Sequence, residues 1–455
     1  MPRLEFVGQS ERDDDYRAGS TCRLVNFYRE PLGQGGKAAH VLKGVPRAND
    51  FVTMPNLFVR SMAEIDRLLY VLSGSQLIRV SASGSQTVLG ETASASGSMI
   101  FGGGLGEVCT TANGRYFVWN GATMEEPTAG AFSAFGSGAF LGGYVLLTED
   151  GGRRFQWSGL ADAETLPGLN FATAESTDGN LLRVMVLQGR ALLMKEDAIE
   201  QWAPTGAAGA DAFSLIPGGV FEIGLKARAL ATQFSGGVFF VGDNNIAYIT
   251  NGGQVQPIST PAVNTAISSS NPTHCFTYED EGHIFCVVRF SDREAWAYDI
   301  VTGEWHERAS DSDLPWIIEA TTKAYSKWFG GASTGRVYAF AKSGTDDGQP
   351  LIRTAVSNTL YNEGRRFRVP MVEMTGRMGQ GTITDTQEPQ LMVRFSGDGG
   401  MTYGREIARD LGGVGEFGQL CRVRSVGSFR QLAMEVRLSD TREITLDAAA
   451  NVVIA

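Results

Sequence analysis

The chain has little of what most enzymes and membrane proteins are built from. Four histidines occur in 455 residues, and no G-x-S-x-G elbow accompanies them, so a hydrolase triad has no support. The five cysteines (Cys22, Cys109, Cys275, Cys286 and Cys421) are scattered, odd in number and without a CxxC pair. That fits reduced, buried thiols in a protein made in a cytoplasm rather than a disulfide framework. The longest apolar runs, such as Gly237–Val241, are far too short to cross a bilayer. The polar, acidic stretch from Met1 to Tyr16 does not read as a signal peptide, and the chain reads as soluble. Helical signals are nearly missing; residues 262–270 (AVNTAISSS) are the best candidate for one short helix.

What is present points to β-structure. Glycine accounts for 57 of 455 residues, well above the usual ~7%, with no Gly-X-Y period. Many glycines in a chain that is 43% hydrophobic and 20% charged imply many tight turns in a globular, all-β protein. The net charge of −11 argues against a dedicated nucleic-acid clamp, which needs basic surface to neutralise phosphates. The charge is unevenly placed. From Gln349 onward there are 13 Arg, no Lys and 12 acidic residues, a net of +1; the first 348 residues therefore carry a net of −12.

A short pattern recurs along the acidic part: an apolar strand, a turn, then a second strand rich in aromatics. The first copy pairs Leu68–Leu72 with residues 77–80, and later second strands begin at residues 116, 155, 199, 246, 295 and 337, steps of 39, 39, 44, 47, 49 and 42. Roughly 40–50 residues is the size of a four-stranded propeller blade. Ser73-Gly74-Ser75, Asn113-Gly114, Asp150-Gly151-Gly152 and Asp243-Asn244-Asn245 supply turn chemistry for hairpins. An irregular sandwich or solenoid with coincidentally spaced aromatics explains the rhythm less well. The count allows six or seven blades. Propellers close by pairing strands from the two ends of the repeat, and the strand-like segment Cys22 to Tyr28 is the candidate to complete the blade containing Val337 to Phe340.

The rhythm stops at the polar turn residues 343–348. Beyond it lie further strands, at residues 366–376, 391–395, 420–426, 432–438 and 451–454, with alternation such as Met434-Glu435-Val436-Arg437-Leu438 that buries one face. The expected division is a propeller body with an N-terminal closing strand over 1–348 and an antiparallel β-sandwich over 349–455.

Several patterns invite a chemical reading, and each has a better structural one. Residues 396–403 (SGDGGMTY) resemble the Asp box of sialidases, with Tyr403 in place of Trp; in such a turn the Asp caps amides and the glycines take unusual dihedrals. A sialidase also needs an arginine cluster and a Tyr–Glu nucleophile pair. Arg154 and Arg228 are single arginines, and Tyr278-Glu279 beside Asp280 reads as a solvated turn. His274-Cys275 and His283 with Cys286 form the one His/Cys cluster, but His283 and Cys286 lie three apart in an apparent strand and so on opposite faces. His40 and His306 have no partner in sequence. The run Gly102-Gly103-Gly104-Leu105-Gly106 lacks the βαβ context and lysine of a phosphate loop and reads as a blade connection; Asp13-Asp14-Asp15 reads as a solvated loop. No catalytic, cofactor or metal residue is assigned, and no cofactor is expected.

Several blocks carry a family likeness. Residues 199–207 (IEQWAPTGA) are similar to the "IE-aromatic-x-x-TGA" segment of the tail hub, or packaged-DNA stabilisation, proteins of short-tailed bacteriophages. The likeness continues through Gly224-Leu225-Lys226-Ala227, Val238-Phe239-Phe240-Val241 and residues 251–259 (NGGQVQPIS), where the family reads G-x-G-Q-V-x-P-I-S. Residues 396–406 (SGDGGMTYGRE) are similar to its T-x-D-G-x-x-Y-G-R-E, and residues 23–28 (RLVNFY) to its opening "V-N" strand. The blocks keep their order from about residue 20 to the C-terminus, although the sequence between them is largely dissimilar.

The resemblance implies a mechanical role in the virion tail, assembled in the bacterial host cytoplasm. It implies a homo-oligomeric ring, expected to be a hexamer, that extends the portal and adaptor channel and retains packaged DNA. It also implies a head-to-tail adaptor protein above, and a tail needle, plug or spike proteins below or beside. DNA would pass through the lumen without sequence-specific binding. The alternative is a propeller glycosidase or glycan-binding module acting on cell-surface sugar. An Asp box in every blade would favour that, and the box occurs once.

Overall fold

The computed structural model describes residues 2–8, 21–33, 38–93, 98–128, 130–251, 253–310, 314–379 and 388–454. Asp13–Asp15 lie outside the described residues.

Seven four-stranded antiparallel units follow one another in the chain, which settles the six-or-seven alternative at seven blades. Their innermost strands are Val59–Ile65, Met99–Gly104, Phe135–Leu141, Leu181–Leu187, Ala231–Phe234, Pro272–Asp280 and Ile318–Ala324. The aromatic segments that set the sequence rhythm are the third strand of each blade, from Gln76–Val80 to Arg336–Ala341. They are conspicuous because they pack between blades. Phe155 of blade 3 meets Trp202 of blade 4 edge-on, with ring centroids 4.9 Å apart, a favourable aromatic geometry.

Side-chain hydrogen bonds join every neighbouring pair of blades. Ser61 Oγ accepts from Ile100 N (3.2 Å), Thr111 Oγ1 donates to Gly136 O (3.4 Å), and Ser137 Oγ accepts from Val184 N (3.3 Å). Thr277 Oγ1 donates to Gln233 O (3.0 Å), Thr321 Oγ1 to Thr277 O (2.6 Å), and the Tyr325 hydroxyl to Val80 O (2.7 Å). Between blades 4 and 5 the Arg183 guanidinium takes this role, donating to the carbonyls of Arg228 and Ala231.

The seventh blade is closed by Arg47–Thr53, which pairs with Arg336–Ala341. This corrects the expectation that Cys22 to Tyr28 closes it. The physical reason lies in exposure. An outermost blade strand has a solvated edge and needs little apolar pattern, so the polar sequence RANDFVT serves. Cys22 to Tyr28 is apolar because it is buried elsewhere: it forms Arg23–Val25 and Phe27–Pro31, separated at Asn26, whose φ is +57°.

Those strands belong with the C-terminal ones. One sandwich sheet contains Arg3–Glu5, Ala449–Val453, Phe367–Met374 and Cys421–Phe429; the other contains Arg23–Val25, Ile352–Val356, Gln431–Ser439, Gln390–Ser396 and Ile407–Asp410. Leu4, Phe6, Leu24 and Phe27 share its core with Val436, Leu438 and Val452. The second sheet does not end at Arg23–Val25. That strand also runs parallel to Trp305–Arg308, the outer strand of blade 6, so blade 6 and the sandwich form one continuous ten-stranded sheet. The short helix is Pro261–Ser269, started by Thr260, whose side chain accepts from Val263 N, a normal N-cap followed by Pro at the first position.

Candidate functional site

The strongest concentration of buried polar groups lies where propeller and sandwich meet. It is built on the N-terminal strands. Arg23 directs its guanidinium at two carboxylates of blade 6, Glu307 (2.6 Å) and Glu294 (2.8 Å). Asn26 donates from Nδ2 to Ala309 O (3.0 Å) and Ile352 O (2.8 Å) while its Oδ1 accepts from Ala309 N (3.1 Å). Its side chain therefore reads the backbone of both halves, and positive φ aims it there.

Three more guanidiniums join the seam. Arg47 Nη2 donates to the carbonyls of Asp440 (2.8 Å) and Arg442 (2.7 Å), and Arg353 Nη2 reaches the same two at 3.3 and 3.2 Å. Burial and the neighbouring Arg47 charge pull the Arg353 guanidinium down to about 9. Arg308 donates to Pro46 O and lies 4.1 Å over the Trp316 ring, a cation–π contact. Lys342 pairs with Asp280, and Lys43 bridges Glu30 (2.6 Å) and Glu281 (2.7 Å). Most of these residues lack a sequence signal; the "V-N" likeness at Val25-Asn26 was the one pointer.

The histidine and cysteine candidates do not converge into a metal centre. Among the described residues no group of three or more His, Cys, Asp or Glu is placed to hold a metal ion. Cys286 is fully buried, and Cys275 nearly so, in the core of blades 4 to 6. His283 points the other way, its Nδ1 2.7 Å from Asp299 Oδ2; that hydrogen bond raises its pKa. His306 is buried and held neutral, its pKa pushed down to about 3 by burial and by Arg308. His274 is lowered to about 4 by burial and Arg289, and burial also lowers His40.

The sialidase-like candidates are separated. Tyr278 is not in a solvated turn, as the sequence suggested, but wholly buried in Pro272–Asp280 against Arg308 and Trp316. Its neighbour Glu279 points to the surface and pairs with Lys323 (2.6 Å). Alternation along a strand separates the two. Arg154 pairs with Glu149, and Arg228 with Asp150. The Asp box is a closed hydrogen-bonded turn. Ser396 Oγ donates to Asp398 Oδ1 (2.7 Å) and accepts from Gly400 N (2.8 Å), while Asp398 accepts from Thr402 N (2.9 Å). These bonds, Ser396 first, hold the Asp398 carboxyl down to about 2. Tyr403 packs under Arg394 (4.8 Å).

The glycine run is a correction in detail. Gly102–Gly104 belong to the inner strand of blade 2, and Leu105-Gly106 form its hairpin turn rather than a connection between blades. The segment IEQWAP is also structural. Glu200 is fully buried, accepts from Trp202 Nε1 (2.9 Å) and Ser176 N (2.9 Å), and lies 3.8 Å from the buried Lys195 ammonium. At Gly224 a side chain would meet the Glu196 carbonyl oxygen at 1.9 Å.

A cavity of ≈ 230 Å³ opens at one end of the propeller axis. Arg60, Arg183, Arg228, His274 and Glu319 are among its lining residues. A wider groove of ≈ 600 Å³ runs along the sandwich, between Glu388, Glu406 and Asp410 on one side and Arg437 and Arg442 on the other.

No curated protein matches the chain. Among solved structures it is similar to the computationally designed Ika8 protein, at 12% identity and TM-score 0.40 over 64% of this chain and 99% of that one. It is similar to PorZ of Porphyromonas gingivalis, at 11% identity and TM-score 0.41 over 72% and 45%. A chain of a mitotic checkpoint complex is similar at 12% identity and TM-score 0.44 over 63% and 92%. Likenesses at that level carry no functional argument. Two family models do match. Residues 9–343 match the one described as Bacteriophage P22 Gp10, beta-propeller, and residues 353–452 the one described as Bacteriophage P22 Gp10, beta-sandwich. Both halves thus match in order, and the chain belongs to the bacteriophage P22 Gp10 family, the phage tail hub and stabilisation proteins of the virion tail.

Proposed function

We propose that the chain is a structural subunit of a tail hub ring. Copies join head-to-tail into a closed hexamer that extends the portal and adaptor channel, retains packaged DNA, and carries the needle, plug or spikes. The observation that carries this reading is the ordered match of both halves, 9–343 and 353–452. The shared ten-stranded sheet supports it, because a mechanical subunit gains from halves that cannot hinge freely. Large lateral surfaces of such a body suit a cyclic, heterologous interface. The division of labour falls near residue 348, with the N-terminal strands serving as the clamp between propeller and sandwich.

The acidic balance of −11 suits a conduit whose cargo must slide, since like charge weakens adsorption of DNA. Five buried cysteines fit assembly in the host cytoplasm before incorporation into the virion tail. Native mass spectrometry and negative-stain imaging of the full chain, alone and with its adaptor protein, test the ring. A hexamer formed on the adaptor is expected. A strict monomer that ignores the adaptor and binds or cleaves sialosides would overturn the reading. Short DNA titrated onto assembled rings at low salt tests the conduit: weak binding is expected, and tight binding removes it.

A further inference from the structure

We propose that the cavity at the end of the propeller axis is a binding site for a small oxyanion of the phosphate class, held by Arg183 with Arg228 and His274. The cavity lies at the starts of the inner strands, where Arg60, Arg183, His274 and Glu319 sit. In a chain of net charge −11 the lining carries three arginines and one glutamate. That glutamate, Glu319, already faces Arg289 at 3.0 Å. Arg228 is anchored by Asp150 at its outer side and by Leu182 O (3.0 Å).

Arg183 is the decisive group. Its Nη1 donates to two backbone carbonyls, Arg228 O at 3.0 Å and Ala231 O at 2.6 Å, and its Nε is buried without a partner. No carboxylate pairs with it among the described residues. Burial lowers its pKa only to about 10, so the guanidinium stays charged at neutral pH. A guanidinium with a buried, unpartnered Nε and no counter-ion is costly. The structural role of bridging blades does not require that cost, because a hydroxyl suffices at the other six joints. An anion in the cavity would offset it. His274 supports the assignment: its Nδ1 is also buried without a partner, and a neutral imidazole can donate one hydrogen bond to an oxyanion. A volume of ≈ 230 Å³ admits a phosphate-sized ion with some water and excludes a nucleotide-sized ligand in an enclosed fit, since such pockets run from about 300 Å³ upward.

The test uses the full chain with inorganic phosphate as the probe. Calorimetric titration and thermal unfolding are run in sodium phosphate and in sodium chloride at matched pH and ionic strength. Saturable phosphate binding and a phosphate-specific rise in Tm are expected for the native chain. Arg183→Met should weaken binding by at least about tenfold, the loss of one charge-assisted contact. Arg183→Lys, which keeps the charge but not the planar fork, should weaken it by less and serves if the Met variant does not fold. An effect equalled by chloride, no binding to the native chain, or undiminished binding in a folded Arg183 variant overturns the proposal.

Discussion

Arg23 and Glu307 face each other across the seam between sandwich and propeller. Nη2 of the guanidinium lies 2.6 Å from Oε2 of a carboxylate with no exposed surface, and Nε lies 3.1 and 3.0 Å from its two oxygens. The contact sits beside the ladder position, Val25 opposite Glu307, that carries the sheet from blade 6 into the sandwich. Removing one partner of such a pair leaves the other charge buried. Arg23→Met is therefore expected to cost about 3–5 kcal/mol in chemical denaturation. The double variant Arg23→Met/Glu307→Leu should recover part of this, since it removes the Glu307 charge that Arg23 faced, while Glu294 still loses its contact with Arg23. Additive losses would mean that the pair is not coupled.

Asn26 offers a finer test of the same seam. Its three side-chain bonds span Ala309 and Ile352, and its φ of +57° is costly for a residue with a Cβ. Asn26→Gly loses the bonds but relieves the backbone, whereas Asn26→Ala loses the bonds and keeps the strain. The Ala variant should be less stable than the Gly variant by about 1 kcal/mol. The reverse order in urea midpoints would contradict the left-handed geometry.

The seam was the least legible part of the sequence. Third strands of the blades stood out because aromatics such as Phe155, Trp157 and Trp202 fill the spaces between blades, and these recur at blade spacing. The helix at Pro261–Ser269 was legible to within one residue, and the structure adds Thr260 as its cap and Pro261 as its first residue. Arg47–Thr53 was not legible, since an outer strand half in solvent carries no apolar alternation. Cys22 to Tyr28 was visible as a strand but not its partners, because an apolar strand reports burial and not the neighbour that buries it. Arg183 carries no sequence signal; only the fold reveals that it lines the cavity at the propeller axis.

The two buried histidines of blade 6 predict opposite responses to acid. His306, with a folded pKa of about 3 against an unfolded value near 6.5, stays neutral while the unfolded chain takes up a proton. Its contribution is intact above pH 6.5 and is lost as pH falls toward 3, about 2 kcal/mol by pH 5. His283 is raised by Asp299, so its contribution is present below its unfolded pKa and lost as pH rises through the folded one. Thermal unfolding between pH 7 and pH 5 should therefore fall less steeply for His306→Phe than for the native chain. It should fall more steeply for His283→Gln. Identical slopes in all three would show that neither imidazole is held as the structure has it.

The Asp398 turn should matter locally and not globally. Its carboxylate is exposed but occupied by Ser396 and Thr402, and with the folded pKa lowered, its contribution is lost only as pH falls from about 4 through about 2. Asp398→Ala is expected to speed amide exchange at Gly400 and Thr402 while leaving the global unfolding midpoint nearly unchanged. A large drop in the midpoint would mean that the turn holds the sandwich together.

Gly104 of blade 2 and Gly138 of blade 3 are explained by reciprocal close packing. A Cβ on Gly138 would lie 2.1 Å from Cζ of Phe101, and a Cβ on Gly104 would lie 2.7 Å from Cζ of Phe140. Each inner strand thus lays one ring over the bare backbone of the other, at Gly104 and at Gly138. Gly138→Ala pushes on the tip of a half-buried ring, not on backbone, and should cost about 1–3 kcal/mol, the range for overpacking. Shortening the opposing side chain should relieve it: Gly138→Ala in a Phe101→Leu background should cost less than in the native chain. The difference between the two measurements is the coupling energy. A value near zero would mean that the ring moves aside freely, and the glycine would then need another explanation.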